Sequence, residues 1–329
     1  MRRRICGWVL CSLLSLSMVF ASTPVWAFQP EGDESDNVRL MAYNVYMLSQ
    51  NLYPNWGQVK RAKLIQDADF IKGNDLIIFN EVFDNEASDV LLKGVSDQYP
   101  YQTPVLGRGK SGWDETRGSY SDVTPEDGGV AVVSQYPIEE KIQHVFQEGC
   151  GSDGYANKGF VYVKVKKNDR PLHVVGTHMQ SQDSGCADGE AESIRRSQME
   201  EIRNFIDQKG IPANETVFIG GDLNVIKGTA EYDSMLENLN VSEPQDYTGH
   251  PYTWDTEENS IAGYNYLDLS PQYLDYIFVE KDHAQPEVWN NHAWKVESPA
   301  WMVTSWGKTY RYTDYSDHYP VTGSASFAE

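Results

Sequence analysis

Oxygen-bearing side chains stand at the ends of several apolar runs in the sequence. Asn44 ends the run "VRLMAYN", Glu81 follows "DLIIFN", and Asp222 and Asn224 occur in "GGDLNV". In an extended segment, residues two apart point to the same face, so Asp222 and Asn224 are expected to serve one ion together. Any one of these residues alone is more often a turn former, but carboxylate and amide oxygens are the ligands that Mg²⁺ prefers. The four together predict a divalent metal site.

Two histidines accompany these oxygen donors. His178 follows a buried strand in "VVGTHMQSQ", and His318 follows Asp317 in "TDYSDHYPV". Imidazole transfers protons near neutral pH, so both are candidates for acid or base catalysis. A lone histidine at a strand end is more often a packed, hydrogen-bonded residue. That interpretation applies to the remaining five, which are His144, His173, His250, His283 and His292.

The elements that must position these residues alternate between strands and helices. Apolar runs rich in β-branched and aromatic residues predict strands that begin at Val38, Asp75, Gly129, Phe160, Leu172, Thr216 and Tyr273. Amphipathic segments at 58–72, 86–97, 190–208 and 229–239 are predicted helices. This alternation indicates an α/β sandwich with sheets buried between helical layers. Because the sequence shows no linker, residues 38–329 are predicted to form a single catalytic domain.

The first 27 residues have the pattern of a signal peptide. Three arginines precede an apolar stretch and a small-residue cleavage site near Ala27, and an acidic, flexible leader is expected at 28–37. Cleavage would leave two cysteines, Cys150 and Cys186, in an exported and therefore oxidising setting. An even pair in such a chain indicates one disulfide, with a catalytic or metal-binding thiol as the alternative.

The charge balance restricts the partners of the chain. Residues 1–27 carry three arginines and no acids, so the mature chain would have 24 basic against 48 acidic residues. Proteins hold nucleic-acid backbones mainly through lysine and arginine, and this surface would repel DNA or RNA over most of its extent. The alternative is that the charge serves only solubility. No nucleic-acid partner is expected.

The order of the motifs carries a resemblance to a known family. Asn44, "NEVFD", "GTHMQ", "GGDLN", "LDYI" and "SDHYPV" follow one another over residues 44–320, nearly the whole mature chain. This series resembles the endonuclease, exonuclease and phosphatase superfamily. It implies a deoxyribonuclease-like, four-layer α/β/β/α sandwich of two packed mixed β-sheets flanked by helices.

The text between these motifs is similar to that of the secreted bacterial neutral sphingomyelinases. The segments "TPEDGGVAVVSQYPI", "YTWDTEENSIAGYN" and "VTSWGKTYRYTDYSDHYPV" carry this narrower resemblance. It implies Mg²⁺ as the cofactor, with Mn²⁺ or Co²⁺ as substitutes and one or two central ions. An ion of this kind neutralises charge on a phosphate oxygen and lowers the pKa of bound water.

The resemblance also implies residue roles. The central metal ligands would be Glu81, Asp222, Asn224 and His318, with Asn44 holding a metal water or a phosphate oxygen. The catalytic residues would be His318 as general base, Asp275 as the carboxylate that orients it, Asp317 as a second support, and His178, which would stabilise the transition state or protonate the leaving oxygen.

A further metal is implied at an edge site away from the chemistry. Its ligands would be Asn85, Glu126 and Asp127, all of which offer oxygen atoms. The alternative interpretation of "PEDGG" is a plain acidic turn.

An aromatic segment near the C terminus suggests a membrane surface. Trp306 and Tyr310 present apolar rings with polar tips, as interfacial residues do, and Trp254 is an alternative contact for a choline cation. The haemolytic relatives tend to carry adjacent bulky apolar residues in this hairpin, whereas Gly307 and Lys308 follow Trp306 here. This departure argues against strong insertion and haemolysis.

The expected function is hydrolysis of sphingomyelin to ceramide and phosphocholine by a secreted, Mg²⁺-dependent enzyme of the phospholipase C type. The expected partner is sphingomyelin in the outer leaflet, reached by peripheral membrane contact, and a monomer is expected. One alternative is a phosphodiesterase acting on another phospholipid or on DNA. The alternative from another class is a membrane-lipid-binding toxin module without catalysis.

Overall fold

The computed structural model describes residues 37–327, which form sixteen strands and five α-helices. The strands are β1 (Val38–Asn44), β2 (Leu76–Asn80), β3 (Tyr101–Gln102), β4 (Glu115–Gly118), β5 (Ala131–Ser134), β6 (Ile138–Val145), β7 (Gly159–Lys167), β8 (Arg170–His178), β9 (Thr216–Asp222), β10 (Val241–Ser242), β11 (Asp246–Gly249), β12 (Asp275–Glu280), β13 (Val288–Ala293), β14 (Trp301–Ser305), β15 (Lys308–Tyr312) and β16 (Val321–Ser326). The helices are α1 (Gln58–Gln66), α2 (Asn85–Gly94), α3 (Glu190–Lys209), α4 (Ala230–Asn238) and α5 (Ala262–Tyr266).

Fourteen of these strands form two mixed sheets of seven. The first has the order β11-β13-β16-β1-β2-β5-β3, and the second has the order β10-β12-β9-β8-β7-β6-β4. The remaining two strands, β14 and β15, pair only with each other as an antiparallel hairpin. The seven predicted strands are all present. Nine further strands of the described chain were not predicted, including β6, β13 and β16, which have six to eight residues.

Three apolar layers hold the sheets and helices together. Aliphatic side chains from both sheets, such as Ile78 and Val174, form one cluster between them. A second cluster packs α1 and α2 against the outer face of the first sheet, and a third packs α3 and α4 against the second sheet. Burial of aliphatic area is the dominant favourable term in folding, at about 25 cal/mol per Å². The predicted four-layer α/β/β/α sandwich is confirmed.

Four of the five described helices follow the predicted segments, the first of them shortened, and α5 was not predicted. The segment predicted at 58–72 ends as a helix at Gln66, because Ala68 takes extended backbone angles and a 3-10 turn follows at Asp69–Ile71. Helix α2 begins where the Asp84 carboxylate accepts a hydrogen bond of 2.9 Å from the Ala87 amide, an N-cap that satisfies a free N–H.

Strand register brings the ends of both sheets to one place. In the first sheet the parallel strands β1 and β2 pair Asn44 with Asn80. In the second sheet His178 pairs with Asp222 across β8 and β9, and Asp222 pairs with Asp275 across β9 and β12. Polar residues from five separate strands therefore meet at one edge of the sandwich.

The predicted disulfide is present. Cys150 and Cys186 are bonded with 5.2 Å between their Cα atoms, and Cys150 is buried against α3 residues Ala191 and Ile194. The described residues, 37–327, lie in one compact unit. The predicted signal peptide, 1–27, and the leader, 28–37 except Asn37, lie outside the described residues. Within the part of the chain that the structure describes, no helix is long and apolar enough to span a membrane.

Candidate active site

Asn44 links the two sheets, because its side chain hydrogen-bonds to an acid at the end of a strand in each. Its Nδ2 donates to Glu81 Oε1 at 2.8 Å and to Asp222 Oδ2 at 3.0 Å, while its Oδ1 accepts from the Tyr46 amide. Asn44 and Asp222 are buried, and Glu81 is partly exposed. Because both Nδ2 hydrogens are directed to carboxylates, Asn44 acts here as a positioning residue for the two acids.

Asn80 makes a second bridge that the sequence analysis missed. It donates through Nδ2 to the Thr177 carbonyl at 3.0 Å and accepts through Oδ1 from the Asp222 amide at 2.9 Å. Asn80 is fully buried, and it ties the last residue of β9 to the end of β2. Its signal in the sequence was a polar residue closing an apolar run immediately before Glu81.

Glu81 reaches the site through an unusual backbone conformation. Its φ angle is 57°, in the left-handed region that non-glycine residues seldom occupy. Its carbonyl accepts from the Met47 amide at 2.9 Å, so the turn is fixed by the loop that follows β1. Such strain costs about 1–3 kcal/mol, and it persists where surrounding contacts hold the residue in place, as at functional sites.

His318 is held by a buried carboxylate on the opposite side of Asp222. Its Nδ1 lies 2.8 Å from Asp275 Oδ2, and its Nε2 lies 3.7 Å from Asp222 Oδ2. Thr253 fixes the start of β12, because its Oγ1 accepts from the Leu274 and Asp275 amides. A carboxylate on Nδ1 holds a proton there, so Nε2 is the ring nitrogen that faces the carboxylate cluster.

Asp317 makes no hydrogen bond to the His318 ring within the described residues. The hydrogen bond to the His318 ring comes from Asp275, while Asp317 Oδ1 accepts from Ser316 Oγ at 3.3 Å. Asp317 is buried close to the charges of Glu81 and Arg61. Asp317 therefore contributes negative charge next to His318, and its supporting role stays a prediction.

Arg61 is a buried cation that the sequence analysis also missed. It lies on α1, is fully buried, and donates to the carbonyls of Val45, Tyr46, Trp56 and Tyr315. These bonds tie the segment after β1 to the loop that carries His318. Its position inside a helix of mixed polarity gave no sequence signal that distinguished it from a surface arginine.

His178 faces the same acids from the end of β8. Its Nε2 is 3.6 Å from Asp222 Oδ2 and 3.8 Å from Glu81 Oε1, and the ring is buried. Its Nδ1 is also buried and has no hydrogen-bond partner among the described residues. Burial, together with the charge of Lys158, lowers the pKa of His178 well below its usual value, so this imidazole is neutral near pH 7.

Asn224 reaches the site differently from the prediction. Strand β9 ends at Asp222, and Asn224 has a φ of 53°, so the two residues do not alternate along an extended strand. The Asn224 amide instead donates to Asp222 Oδ1 at 3.0 Å, and its Nδ2 donates to the Met179 carbonyl at 3.0 Å. These two bonds leave the carboxamide oxygen of Asn224 as the atom available to a ligand.

The site concentrates negative charge in a buried place. Burial, followed by repulsion from Asp317, raises the pKa of Glu81 to about 8. Burial likewise raises the pKa of Asp275 to about 6. Burial by itself would lower the pKa of His318, but Asp275, Asp222 and Asp317 together raise it well above its usual value. Positive charge is strongly favoured at this point.

The donor set fits a hard divalent cation. The ligand atoms of Glu81, His178 and Asp222 all lie within 4.8 Å of one another, and so do those of Asp222, Asp275 and His318. Asp222 belongs to both sets and is the natural centre. Carboxylate oxygens with an adjacent amide oxygen from Asn224 are the chemistry that Mg²⁺ prefers, and the site keeps room for water because Glu81 is partly exposed.

A positively charged side chain, Arg108, lies beside the predicted edge site. Asp127 accepts from Arg108 Nε at 2.7 Å and from the Gly129 amide at 2.8 Å. Arg108 also donates to the carbonyls of Val82 and Phe83, just before Asn85 begins α2. Glu126 accepts from the Asp127 amide. A metal at Asn85, Glu126 and Asp127 stays a prediction.

The three predicted membrane or choline contacts differ in exposure. Trp306 is 70 % exposed at the tip of the β14–β15 hairpin, where it and Gly307 both have positive φ angles, as a two-residue turn requires. Tyr310 is only 8 % exposed and packs on Tyr264, so it supports the hairpin from within. Trp254 is also 8 % exposed, and it forms a β-bridge with His318.

The five histidines interpreted as structural are all hydrogen-bonded. The pairs are His144 with Glu201, His173 with Glu215 and Tyr162, His250 with Asp255, His283 with Glu280, and His292 with Thr248. Within the described residues, none of these five histidines is hydrogen-bonded to Asn44 or to the two acids that Asn44 holds.

Comparison with known proteins agrees with this geometry. The model of the Endonuclease/Exonuclease/phosphatase family matches residues 41–318, and the chain belongs to that family. Within it, a phospholipase C from Staphylococcus aureus is 54 % identical over 310 residues, covering 94 % of each chain. A sphingomyelinase C from Bacillus cereus is 52 % identical over 333 residues, covering 99 % of each.

A solved structure shows the same architecture. A mutant of beta toxin from Staphylococcus aureus with bound magnesium ions is 56 % identical, with a TM-score of 0.86 over 88 % of this chain and 99 % of that one. The resemblance to bacterial sphingomyelinases stated from the motifs is therefore confirmed.

Proposed function

We propose that the chain is a secreted, Mg²⁺-dependent sphingomyelin phosphodiesterase of the phospholipase C type. One observation supports this most strongly: two acids, the partly exposed Glu81 and the buried Asp222, are held by Asn44 opposite His318. His318 is itself hydrogen-bonded to Asp275. Relatives that are 50–54 % identical over most of the chain are named sphingomyelinase C or phospholipase C, which supports the substrate.

In this proposal, different residues bind the cation and transfer the proton. Glu81, Asp222 and the carboxamide oxygen of Asn224 would hold the cation, with Asn44 fixing the two carboxylates. When bound, the ion neutralises charge on a phosphate oxygen and lowers the pKa of water. We assign proton transfer to His318 Nε2, because Nδ1 of the same ring is already hydrogen-bonded to Asp275.

The reaction then needs one proton taken and one proton given. His318 Nε2 accepts a proton from the attacking water as the new phosphorus–oxygen bond forms, and the phosphorus–oxygen bond to ceramide breaks. The Asp275 carboxylate stabilises the imidazolium that results. His178, neutral and facing the same acids, is placed to donate a hydrogen bond to an oxygen that gains charge. The ceramide alkoxide takes up a proton from solvent water, and the His318 imidazolium returns its proton to solvent, so ceramide and phosphocholine are the two products.

Export and membrane contact belong to the same proposal. The Cys150–Cys186 disulfide suits an oxidising compartment, in accord with the signal peptide predicted at 1–27. The exposed Trp306 gives the hairpin tip an interfacial residue. The acting form is proposed to be a monomer at the surface of the outer leaflet.

The test is a product assay on three substrates. The purified protein is incubated with sphingomyelin, phosphatidylcholine and duplex DNA, each with Mg²⁺ and with EDTA, alongside His318→Ala. His292→Ala, a hydrogen-bonded histidine outside the site, is the matched control. Phosphocholine and ceramide from sphingomyelin, lost with EDTA and with His318→Ala only, support the proposal. Cleavage of DNA alone would make the substrate wrong, and no hydrolysis at all would favour a lipid-binding module.

A further inference from the structure

One short segment exposes an unusual amount of apolar surface. In residues 264–269 the exposed fractions are 44 % for Tyr264, 42 % for Tyr266, 79 % for Leu267 and 49 % for Leu269. The segment consists of the end of α5 and the turn after it. Single exposed apolar residues are ordinary, but a group of four within six residues marks a contact surface.

The 264–269 segment adjoins the β14–β15 hairpin. The Tyr264 and Tyr310 rings are 5.6 Å apart in an edge-on arrangement, and Lys308 Nζ lies 3.3 Å from Tyr264 Oη. The hairpin adds its own exposed side chains, Trp306 and Met302. The two elements therefore share a border and present aromatic and aliphatic groups side by side.

The same segment adjoins the active site on its other side. Tyr266 packs on Trp254 with ring centroids 5.3 Å apart, and Trp254 forms a β-bridge with His318. Asn265 Nδ2 lies 3.4 Å from Tyr46 Oη, next to the loop that follows Asn44. Whatever covers the exposed leucines is consequently held at the rim of the catalytic cleft.

The chemistry of the segment selects the kind of surface that covers it. Tyrosine with leucine suits a bilayer interface, where rings lie at head-group level and aliphatic groups reach the acyl boundary. The chain has a net charge of −21, and Asp268 is the one charged residue of the segment. We therefore expect that attraction to anionic lipid does not drive membrane binding by this segment, which favours a zwitterionic bilayer as its partner.

We propose that residues 264–269 form a second membrane-docking element, which places Leu267 and Leu269 in the interface of a phosphocholine-lipid bilayer beside the cleft. This inference rests on the proposed function for the identity of the lipid. The hairpin and the 264–269 segment then flank the cleft together, and a lipid head group enters it without the lipid leaving the bilayer.

The test separates docking from chemistry. Binding to vesicles of sphingomyelin and phosphatidylcholine is measured by sedimentation in the His318→Ala background, and hydrolysis is measured in the active protein on vesicles and on monomeric short-chain sphingomyelin. The variants are Leu267→Ser with Leu269→Ser, and the conservative Leu267→Met with Leu269→Met. The control is Tyr101→Ser, a 40 % exposed aromatic on β3, which pairs with Ser134 of β5. Ser134 also pairs with Leu76 at the start of β2, the end of that strand away from the site.

The double serine variant is expected to lose about tenfold or more in vesicle partitioning and in vesicle hydrolysis, because binding scales with buried apolar area. Its kcat/KM on monomeric substrate should stay within about twofold, and the methionine variant and Tyr101→Ser should bind as the parent does. Raising NaCl from about 0.05 to about 0.5 M should leave binding within about twofold, since screening acts on charge.

Two results would overturn the inference. One is unchanged vesicle binding by the double serine variant; the other is an equal loss on monomeric substrate, which would place the segment in the chemistry or the fold. If the parent protein cleaves sphingomyelin in neither form, the proposed function fails. Vesicle binding of the His318→Ala series still decides the docking inference in that case.

Discussion

Replacing Asp275 with asparagine tests the core of the site, because this residue touches His318 and is not placed as a ligand. The Asp275 Oδ2 to His318 Nδ1 distance is 2.8 Å, and Asp275 is completely buried. Asparagine has nearly the same shape, so the β9–β12 pairing and the Thr253 contacts should persist. What changes is the charge opposite the imidazole.

The expected loss follows from the two orientations open to the new amide. If its oxygen faces Nδ1, the tautomer survives but a charge-assisted hydrogen bond worth about 1.5–3 kcal/mol becomes a neutral one. At about 1.4 kcal/mol per tenfold, this lowers kcat by about 10-fold to about 10²-fold. If its NH₂ faces Nδ1, the proton moves to Nε2, the nitrogen that must accept one, and the loss approaches about 10⁴-fold. Across the two orientations we expect kcat to fall by about 10-fold to about 10⁴-fold.

The assay is initial-rate hydrolysis of sphingomyelin with saturating Mg²⁺, with thermal unfolding measured on the same samples. Glu215→Gln is the matched control, because His173 Nε2 lies 2.6 Å from Glu215 Oε2 in an equivalent pair at the other end of β8 and β9. The control should keep its kcat. A folded Asp275→Asn variant with kcat within about fivefold of the parent would refute the orienting role.

Three further predictions concern other parts of the molecule. Burial lowers the pKa of His173, so below about pH 6.5 the unfolded state binds more protons than the folded state. The free energy of unfolding should therefore decrease as the pH is lowered. In His173→Gln this decrease, measured by urea unfolding between neutral and mildly acidic pH, should be smaller. Replacing Cys150 and Cys186 with serine opens a cross-link between residues 36 apart and should cost about 4 kcal/mol of unfolding free energy by the chain-entropy model, measured by urea titration; a loss below about 1 kcal/mol would contradict it. In Asn80→Asp a carboxylate would face the Thr177 carbonyl that now accepts from Nδ2, so both stability and Mg²⁺ affinity should fall, by calorimetry, whereas an unaltered affinity would argue against the bridge.

The long buried elements could be predicted from sequence because their patterns are strong. Strands such as β8 and β9 are continuous apolar runs, and α3 keeps Ile194, Met199 and Phe205 on one buried face. The short strands β3, β10 and β11 have two to four residues and partly exposed faces, so their existence depends on tertiary pairing with neighbours.

The candidate site was predictable where residues share a strand end, and less so where contacts join distant segments. Glu81, Asp222 and His318 were found because polar types interrupt apolar runs. The bridge made by Asn80 and the four carbonyls around Arg61 depend on how the sheets stack, which no local pattern encodes. Asn224 was expected to follow Asp222 along an extended strand, with both side chains on one face. Strand β9 ends at Asp222, so this alternation does not reach Asn224.

The central claim is that water, activated between the acids and His318, attacks phosphorus and releases ceramide. Hydrolysis of sphingomyelin in ¹⁸O-labelled water, followed by mass spectrometry of both products, tests this most directly. The account predicts one labelled oxygen in phosphocholine, none in ceramide, and no product when EDTA is present. Label in the ceramide hydroxyl, release of free choline, or undiminished turnover without a divalent ion would contradict it.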